Sequence, residues 1–177
     1  MKSWKESERL VDEGLVRAIG VSNHIVKRLE DINKFARIKP SMNHIEFHPY
    51  FQNQSTGIIE YAKKNCILIE AYGPLSPIVG AKGGPLDPVL DSLADRYGKT
   101  PSQILLKWVH QQGVVTVTTT SSEKRLDEVL DVLNFELDDE DEEKITNVGN
   151  SHFFKAFPNI PPLRDYDEEL KKERGLI

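Results

Sequence analysis

The apolar residues of this chain fall into two patterns that alternate along the sequence. Short runs of aliphatic and β-branched residues are typical of buried strands, whereas apolar residues recurring every three or four positions are typical of one helix face. The strand-like runs cover residues 15–21, 42–47, 66–72 and 114–118. The helical stripes cover residues 4–11, 25–35, 56–65, 89–97, 100–109 and 122–130. We therefore predict strands that alternate with helices.

Residues that start and stop helices stand at the ends of several stripes. Gly14 follows the first stripe, in the place of a C-terminal cap. Thr100 followed by Pro101 gives an N-cap residue with proline at the first helical position. Asp138, ahead of an acidic first turn, is predicted to cap a last helix. These signals agree with the boundaries that the apolar spacing indicates.

The alternation assigns the fold to the α/β class. Nearly continuous apolar strands separated by helices indicate a parallel sheet with right-handed crossovers. The predicted strands end in polar or aromatic residues, which are Ser22-Asn23, Glu46-Phe47-His48, Tyr72-Gly73 and Thr118-Thr119-Thr120. Because α/β proteins bind ligands beyond the carboxyl ends of their strands, we expect the binding site at this edge.

Two stretches show no period. Residues 73–85, GPLSPIVGAKGGP, contain enough Gly and Pro that we predict a flexible lid without regular structure. Residues 149–177 are predicted to form an irregular C-terminal tail of the same domain as residues 1–148. The aromatic residues of this tail either pack on the domain or line a pocket, and the sequence leaves both readings open.

Composition narrows the classes of partner. With 177 residues and 38% hydrophobic residues, the chain is long enough for one domain with a sizeable core. Its net charge of −5 argues against nucleic-acid and membrane surfaces, and no apolar run reaches the ~20 residues of a membrane span. Cys66 is the only cysteine, so no internal disulfide can form, and we expect a buried Cys66 and a cytoplasmic protein. Small molecules are the expected partners.

A candidate phosphate site lies at residues 114–129, VVTVTTTSSEKRLDEV. The β-branched run leads into the hydroxyl residues Thr118 to Ser121 and then into a helix. A helix N-terminus offers free N–H groups and a positive dipole end, and the Arg125 guanidinium can bind phosphate through two N–H groups. The alternative is an N-capped surface helix with a solvated Arg125.

A second pattern, of alternating histidine and glutamate residues, is a candidate metal site. His44, Glu46 and His48 alternate, so on a strand they would share one face, and two imidazoles with a carboxylate are metal ligands. Pro49 ends the strand directly after them. We favour polar residues that line a barrel over a metal site, and we predict no metal.

Five segments in order resemble the C-terminal half of the aldo-keto reductases. They are LVDEGLVRAIGVSN, MNHIEFHPY, IEAYGPLS, TTTSSEKRLDEV and LNFEL. Together they extend over about 140 residues, and ordered motifs are more specific than any single one. Within the family, the GPLSP loop and the TTSS run are most similar to the fungal branch that reduces α-keto amides and conjugated polyketones. The resemblance implies a parallel (β/α)8 TIM-type barrel, here about four β/α units, that binds NADP(H).

The resemblance also implies a role for each residue of a cofactor site. The nicotinamide carboxamide would be held by Ser22, Asn23 and His44, and the nicotinamide ring would stack on Tyr72. The pyrophosphate would face Gly73 and Leu75. The ribose and its 2′-phosphate would be surrounded by Thr119, Thr120, Ser121, Ser122 and Arg125, and the adenine would be reached by Glu128. His44 stands where the family usually has glutamine. Thr119 replaces a common lysine, which leaves Arg125 to distinguish NADPH from NADH.

No catalytic residue can be named. In the resembled family, the catalytic Asp, Tyr, Lys and His lie on the first four strands, and this chain begins in the helix that follows them. We therefore predict a fragment that is inactive alone, from a reductase of small-molecule carbonyl substrates. The alternative is a non-catalytic nucleotide-binding or protein-interaction half-barrel that dimerises, because half a barrel exposes strand edges and would otherwise aggregate.

Overall fold

The computed structural model describes residues 2–158 as helices and strands in alternation. The strands are β1 (Val21–Ser22), β2 (Met42–Glu46), β3 (Leu68–Tyr72) and β4 (Val115–Thr116). The helices are α1 (Lys2–Asp12), α2 (Val26–Phe35), α3 (Ile58–Lys64), α4 (Ser76–Val79), α5 (Asp87–Tyr97), α6 (Pro101–Gln111), α7 (Glu123–Asp131) and α8 (Asp139–Asn150). A 3-10 turn, Val132–Asn134, follows α7.

The four strands form one sheet in the order β1-β2-β3-β4, which is also their order along the chain. β1 pairs with β2 in parallel, with Val21 opposite Asn43 and Ser22 opposite His44. Helices lie between successive strands, as the parallel arrangement requires. The predicted α/β class is confirmed.

The two end strands are shorter than their apolar runs. Of residues 15–21 only Val21 joins β1, and β4 takes two of the five residues predicted for it. An end strand has one neighbour in the described sheet, so fewer ladder hydrogen bonds extend it. Leu15 accordingly lies outside the sheet and is largely exposed.

The described chain divides into two compact units. Unit 1 comprises residues 2–45, 53–70 and 158, and unit 2 comprises residues 46–52 and 71–157. In unit 1, Trp4, Ile32 and Ala36 form a buried cluster. The Trp4 indole N–H donates to the Ile38 carbonyl oxygen at 3.1 Å, so the polar edge of this core residue is satisfied.

The core of unit 2 is built around Trp108 of α6. Its ring stacks on Phe47 with centroids 5.5 Å apart, and its indole N–H donates to Thr146 Oγ1 of α8 at 3.0 Å. The predicted start of α6 is confirmed, since Thr100 and Gln103 form a capping box. These contacts fix α6 against α8.

The last helix begins where predicted, with Asp138 at its N-cap position, but the cap lacks its usual side-chain hydrogen bond. The Asp138 side chain makes no capping hydrogen bond. Its carboxylate instead accepts from Arg96 Nη2 at 2.7 Å, while Arg96 Nη1 donates to Asp141 at 2.7 Å. A guanidinium from α5 outcompetes the backbone N–H groups for the carboxylate because it offers a charge-assisted bond.

Two local predictions are wrong. The stretch 73–85 contains the short helix α4, in which Pro77 stands near the start of the helix, where a missing N–H costs nothing. Cys66 is exposed rather than buried. It has a φ of 55° after the C-terminal end of α3, and Ile67 N–H donates back to the Ala62 carbonyl at 2.9 Å. Cys66 therefore belongs to the closing turn of a helix and not to the apolar strand.

The end of the described chain lies close to the predicted start of the tail. α8 continues through Asn150, so the first two tail residues are helical. Residues 151–158 follow without a helix or strand, and the predicted tail from residue 159 lies outside the described residues. Over the described range, no helix has the length and apolar character needed to cross a membrane.

Candidate functional site

The hydroxyl residues after β4 organise the start of α7. Ser122 is the N-cap residue, and its hydroxyl accepts the Arg125 N–H at 3.4 Å. Thr120 Oγ1 accepts the Ser122 N–H at 3.1 Å. The predicted order of strand, hydroxyl loop and helix is confirmed, and part of the hydroxyl run serves the loop itself.

Polar links from α6 position α7, which buries none of its own residues. The Gln103 amide group donates to the Glu128 carbonyl oxygen at 3.1 Å and to Asp131 Oδ2 at 2.9 Å. Lys99 Nζ lies 2.5 Å from the same Asp131 oxygen. These bonds hold the C-terminal half of α7.

A cavity of about 330 Å³ opens beside this helix. We call it the Arg125 cavity, and the residues that line it include Leu75, Gln103, Thr119, Thr120, Arg125 and Glu128. Five of these are predicted site residues, and Gln103 is the exception. Ser121 and Ser122 are not in the lining. The structure thus brings the guanidinium and three of the hydroxyl residues Thr118 to Ser121 to one concave surface.

A second cavity of about 370 Å³ adjoins the first. We call it the Phe157 cavity, and its lining includes Gly73, Leu75, Val79, Thr119, Ala156 and Phe157. Leu75, Val79 and Thr119 line both cavities, so the two share a wall. Its lining is predominantly apolar, whereas the Arg125 cavity is mixed.

Gly73 is a point of close approach in the Phe157 cavity. Its φ is 65°, in the region that favours glycine. A Cβ at this position would lie 2.9 Å from Ser76 Oγ and 3.0 Å from Phe157 Cε2. Tyr72, the residue before it, meets the Phe157 ring edge-on with centroids 5.2 Å apart. Sequence reasoning assigned Phe157 no role, although it left open that tail aromatics line a pocket.

The three residues predicted to hold a carboxamide lie together in unit 1. Asn23, with a φ of 56°, donates its backbone N–H to the His44 carbonyl at 2.9 Å. The Ser22 hydroxyl donates to the same carbonyl at 3.0 Å and accepts from Asn23 Nδ2 at 3.1 Å. His44 Nε2 lies 4.0 Å from Glu70 Oε2, a neighbour that the sequence did not point to. Tyr72, Gly73, Leu75 and the residues of α7 belong to unit 2.

Glu46 and His48 form a buried pair in unit 2. Glu46 Oε1 lies 3.1 Å from His48 Nε2, and both side chains are fully buried. Burial lowers the pKa of His48, and the Glu46 carboxylate opposes this shift only in part. Within residues 2–158, no group of three or more His, Cys, Asp and Glu side chains could hold a metal ion.

Acidification is expected to destabilise the fold through His48. In the unfolded chain His48 titrates near its ordinary value of 6.5, whereas the folded chain protonates it only at lower pH. The unfolded state therefore binds more protons below pH 6.5, and the free energy of unfolding falls by at most about 1.4 kcal/mol per pH unit from this group. Urea unfolding at pH 7 and pH 5 measures the loss. The His48→Gln variant should lose less unfolding free energy between pH 7 and pH 5 than wild type. The control His110→Gln, at an exposed histidine, should lose as much as wild type. Equal losses in wild type and His48→Gln would contradict the assignment.

The fold and these cavities define an α/β protein with a candidate ligand site beyond its strand ends. The Aldo/keto reductase family model matches residues 1–150, and the chain belongs to that family.

Two curated relatives share more than a third of their aligned residues with the chain. It is 38% identical over 173 residues to the NADPH-dependent alpha-keto amide reductase of Saccharomyces cerevisiae, covering 96% of this chain and 53% of the relative. It is 37% identical over 156 residues to the NAD/NADP-dependent indole-3-acetaldehyde reductase of Schizosaccharomyces pombe, covering 88% and 55%. The chain spans about half the length of these relatives.

A solved structure supports the same assignment. An aldo-keto reductase crystallised in complex with NADPH matches with a TM-score of 0.77 and 25% identity, over 86% of this chain and 47% of that one. The resemblance to this family is confirmed.

Proposed function

We propose that this chain binds NADP(H) and forms the cofactor seat of an NADP-dependent carbonyl reductase. The observation that carries the proposal is the Arg125 cavity, where the Arg125 guanidinium from the first turn of α7 and three threonines line one concavity. The names of an NADPH-dependent relative and of an NADPH-complexed family structure support it.

The Arg125 cavity suits a phosphate chemically. Among the described residues, no carboxylate forms an ion pair with the Arg125 guanidinium, so its donors are free for a ligand. A guanidinium presents two parallel N–H groups to phosphate oxygens, and a helix N-terminus adds a positive dipole end. We assign the 2′-phosphate and its ribose to Arg125, Thr119 and Thr120, with Ser121 and Ser122 shaping the loop, and the adenine to Glu128.

The Phe157 cavity suits the middle of a dinucleotide. Because Gly73 has no side chain, a ligand can approach its backbone closely. We assign the pyrophosphate to Gly73 and Leu75, and the nicotinamide ring to Tyr72. Ser22, Asn23 and His44 are assigned to the carboxamide, since their hydroxyl, amide and imidazole groups can donate and accept hydrogen bonds.

Carbonyl reduction is proposed for the whole protein on family membership. The cofactor would supply hydride to a small-molecule carbonyl substrate, and the residues named above would bind and orient it. We assign no catalytic acid or base among the described residues, and we propose that the chain by itself does not turn over a carbonyl substrate.

NADPH titration of the purified chain tests the proposal. We expect saturable binding, seen as a change in protein fluorescence, by a soluble species of defined mass. The same titration with NADH should give weaker binding, because NADH lacks the 2′-phosphate. A folded, soluble chain that binds neither nucleotide would refute the cofactor role.

Light scattering of the same samples gives the mass of the binding species and tests a second candidate, a non-catalytic module that dimerises. Leu126, Leu130 and Leu133 lie on α7 and the turn after it with more than half of each side chain exposed. An exposed apolar stripe of this kind favours association. A stable dimer that binds NADPH without turnover would favour the module, and a nucleotide-binding monomer would exclude it.

A further inference from the structure

The segment that follows α8 is part of unit 2 and packs on the rest of that unit through four ring contacts. We call residues 152–157 the aromatic segment. The ring pairs are His152 with Tyr50 at 4.7 Å, Phe153 with Phe51 at 5.8 Å, Phe154 with His48 at 6.3 Å and Phe157 with Tyr72 at 5.2 Å, all between centroids. Three of these pairs involve residues 48–51, and the last one involves a predicted cofactor contact.

One buried carboxylate holds the backbone of the aromatic segment. The Ala156 N–H donates to Glu46 Oε1 at 2.6 Å, and the same oxygen lies 3.1 Å from His48 Nε2. The Glu46 side chain is fully buried, so water does not compete for this oxygen. This hydrogen bond therefore fixes the backbone of Ala156, the residue directly before Phe157.

Fixing Ala156 decides where Phe157 lies. The Phe157 ring reaches the open side of Gly73 and meets Tyr72 edge-on. Phe157 is 42% exposed and lines the Phe157 cavity, so its ring is not part of the buried core. It thus occupies space next to the two residues that we assign to the nicotinamide ring and the pyrophosphate.

We propose that Glu46 is a positioning residue whose hydrogen bond to Ala156 seats Phe157 against Tyr72 and Gly73, so that Phe157 competes with the dinucleotide for this surface. The inference rests on the proposed cofactor role. A ring that stacks on Tyr72 has to displace the edge of Phe157, and an aromatic pair of this kind contributes about 0.5–1.5 kcal/mol. Releasing Phe157 should therefore tighten NADPH binding by about 2- to 10-fold.

Nucleotide titrations test the seating of Phe157. Phe157→Ala should bind NADPH about 2- to 10-fold more tightly than wild type. Ala156→Pro removes the anchoring N–H and should tighten binding similarly, whereas Ala156→Gly keeps the N–H and should bind like wild type. Equal NADPH affinity in wild type, Phe157→Ala and Ala156→Pro would overturn the competition.

Amide hydrogen exchange without nucleotide tests the anchor separately. We expect Glu46→Ala to speed exchange of the Ala156 amide at least 10-fold, while Glu46→Gln retains an acceptor oxygen and most of the protection. The amide of Leu105 in α6 reports global unfolding and should be unchanged. Equal Ala156 exchange in wild type and Glu46→Ala would overturn the anchor. Failure of every variant to bind NADPH, with the Ala156 amide still dependent on residue 46, would refute the proposed cofactor role and leave the anchor supported.

Discussion

Gly149→Ala should destabilise the protein by about 2–3 kcal/mol, although alanine is the better helix former. Gly149 lies in α8, where it packs on the backbone at Pro49. A Cβ at this position would lie 2.7 Å from the Pro49 carbonyl carbon and closer still to its oxygen. Backbone atoms cannot turn aside as the end of a flexible side chain can, so α8 has to move. Helix propensity alone predicts the opposite sign, a gain of about 1 kcal/mol.

Urea unfolding of Gly149→Ala and Asn147→Ala, a matched pair in one helix, measures this effect. Asn147 is exposed in α8, and its side chain makes only a long hydrogen bond of 3.5 Å to Glu143. We expect the Asn147→Ala free energy of unfolding to stay within about 0.5 kcal/mol of wild type. A Gly149→Ala chain as stable as wild type would show that α8 does not approach Pro49 this closely.

Arg125→Ala should weaken NADPH binding by about 10- to 100-fold and leave NADH binding nearly unchanged. A hydrogen bond to a charged group contributes about 1.5–3 kcal/mol, and a bidentate contact to phosphate lies toward the upper end. Only NADPH carries the 2′-phosphate, so only NADPH loses this contact. Parallel titrations of wild type and variant with both nucleotides give the ratio directly.

Lys124→Ala is the matched control for Arg125→Ala. Lys124 is the exposed neighbour of Arg125 in α7, and it does not line the Arg125 cavity. Its removal subtracts the same charge from the same helix, so any general electrostatic effect on a nucleotide appears there too. Equal weakening of NADPH and NADH by Arg125→Ala would refute the 2′-phosphate assignment. Equal loss of NADPH binding in both variants would show that the effect comes from the change in net charge and not from a specific phosphate contact.

Local sequence patterns predicted most of the elements, because the interactions that start helices are local. The Thr100–Gln103 capping box closes within four residues, and the Ser122 cap accepts an N–H three residues further on. The hydroxyl run before α7 was predicted from its residues for the same reason. At Asp138 the predicted N-cap position is correct, but the carboxylate binds the distant Arg96 of α5 and makes no local capping hydrogen bond.

The candidate site was predicted only in part. The Arg125 cavity gathers the residues of the α7 motif that the sequence singled out, together with Leu75 from the loop after β3. The roles given to Tyr72, Ser22 and His44 stay predictions, since they depend on family resemblance and on no contact with a ligand. The local sequence is compatible with Gln103 as part of a capping box, but it does not show that Gln103 lines a cavity. That role depends on where α7 lies in the tertiary structure.

The sequence by itself determined the start of α6, the alternation of strands and helices in an α/β protein, and the hydroxyl-rich approach to α7. Each of these rests on residues a few positions apart, whose spacing dictates which groups can meet. Only the tertiary structure decided that Glu46 binds the Ala156 N–H, 110 residues away, and that Phe157 meets Tyr72. A buried carboxylate accepts whichever donor the fold brings to it, and no local pattern records which donor that is.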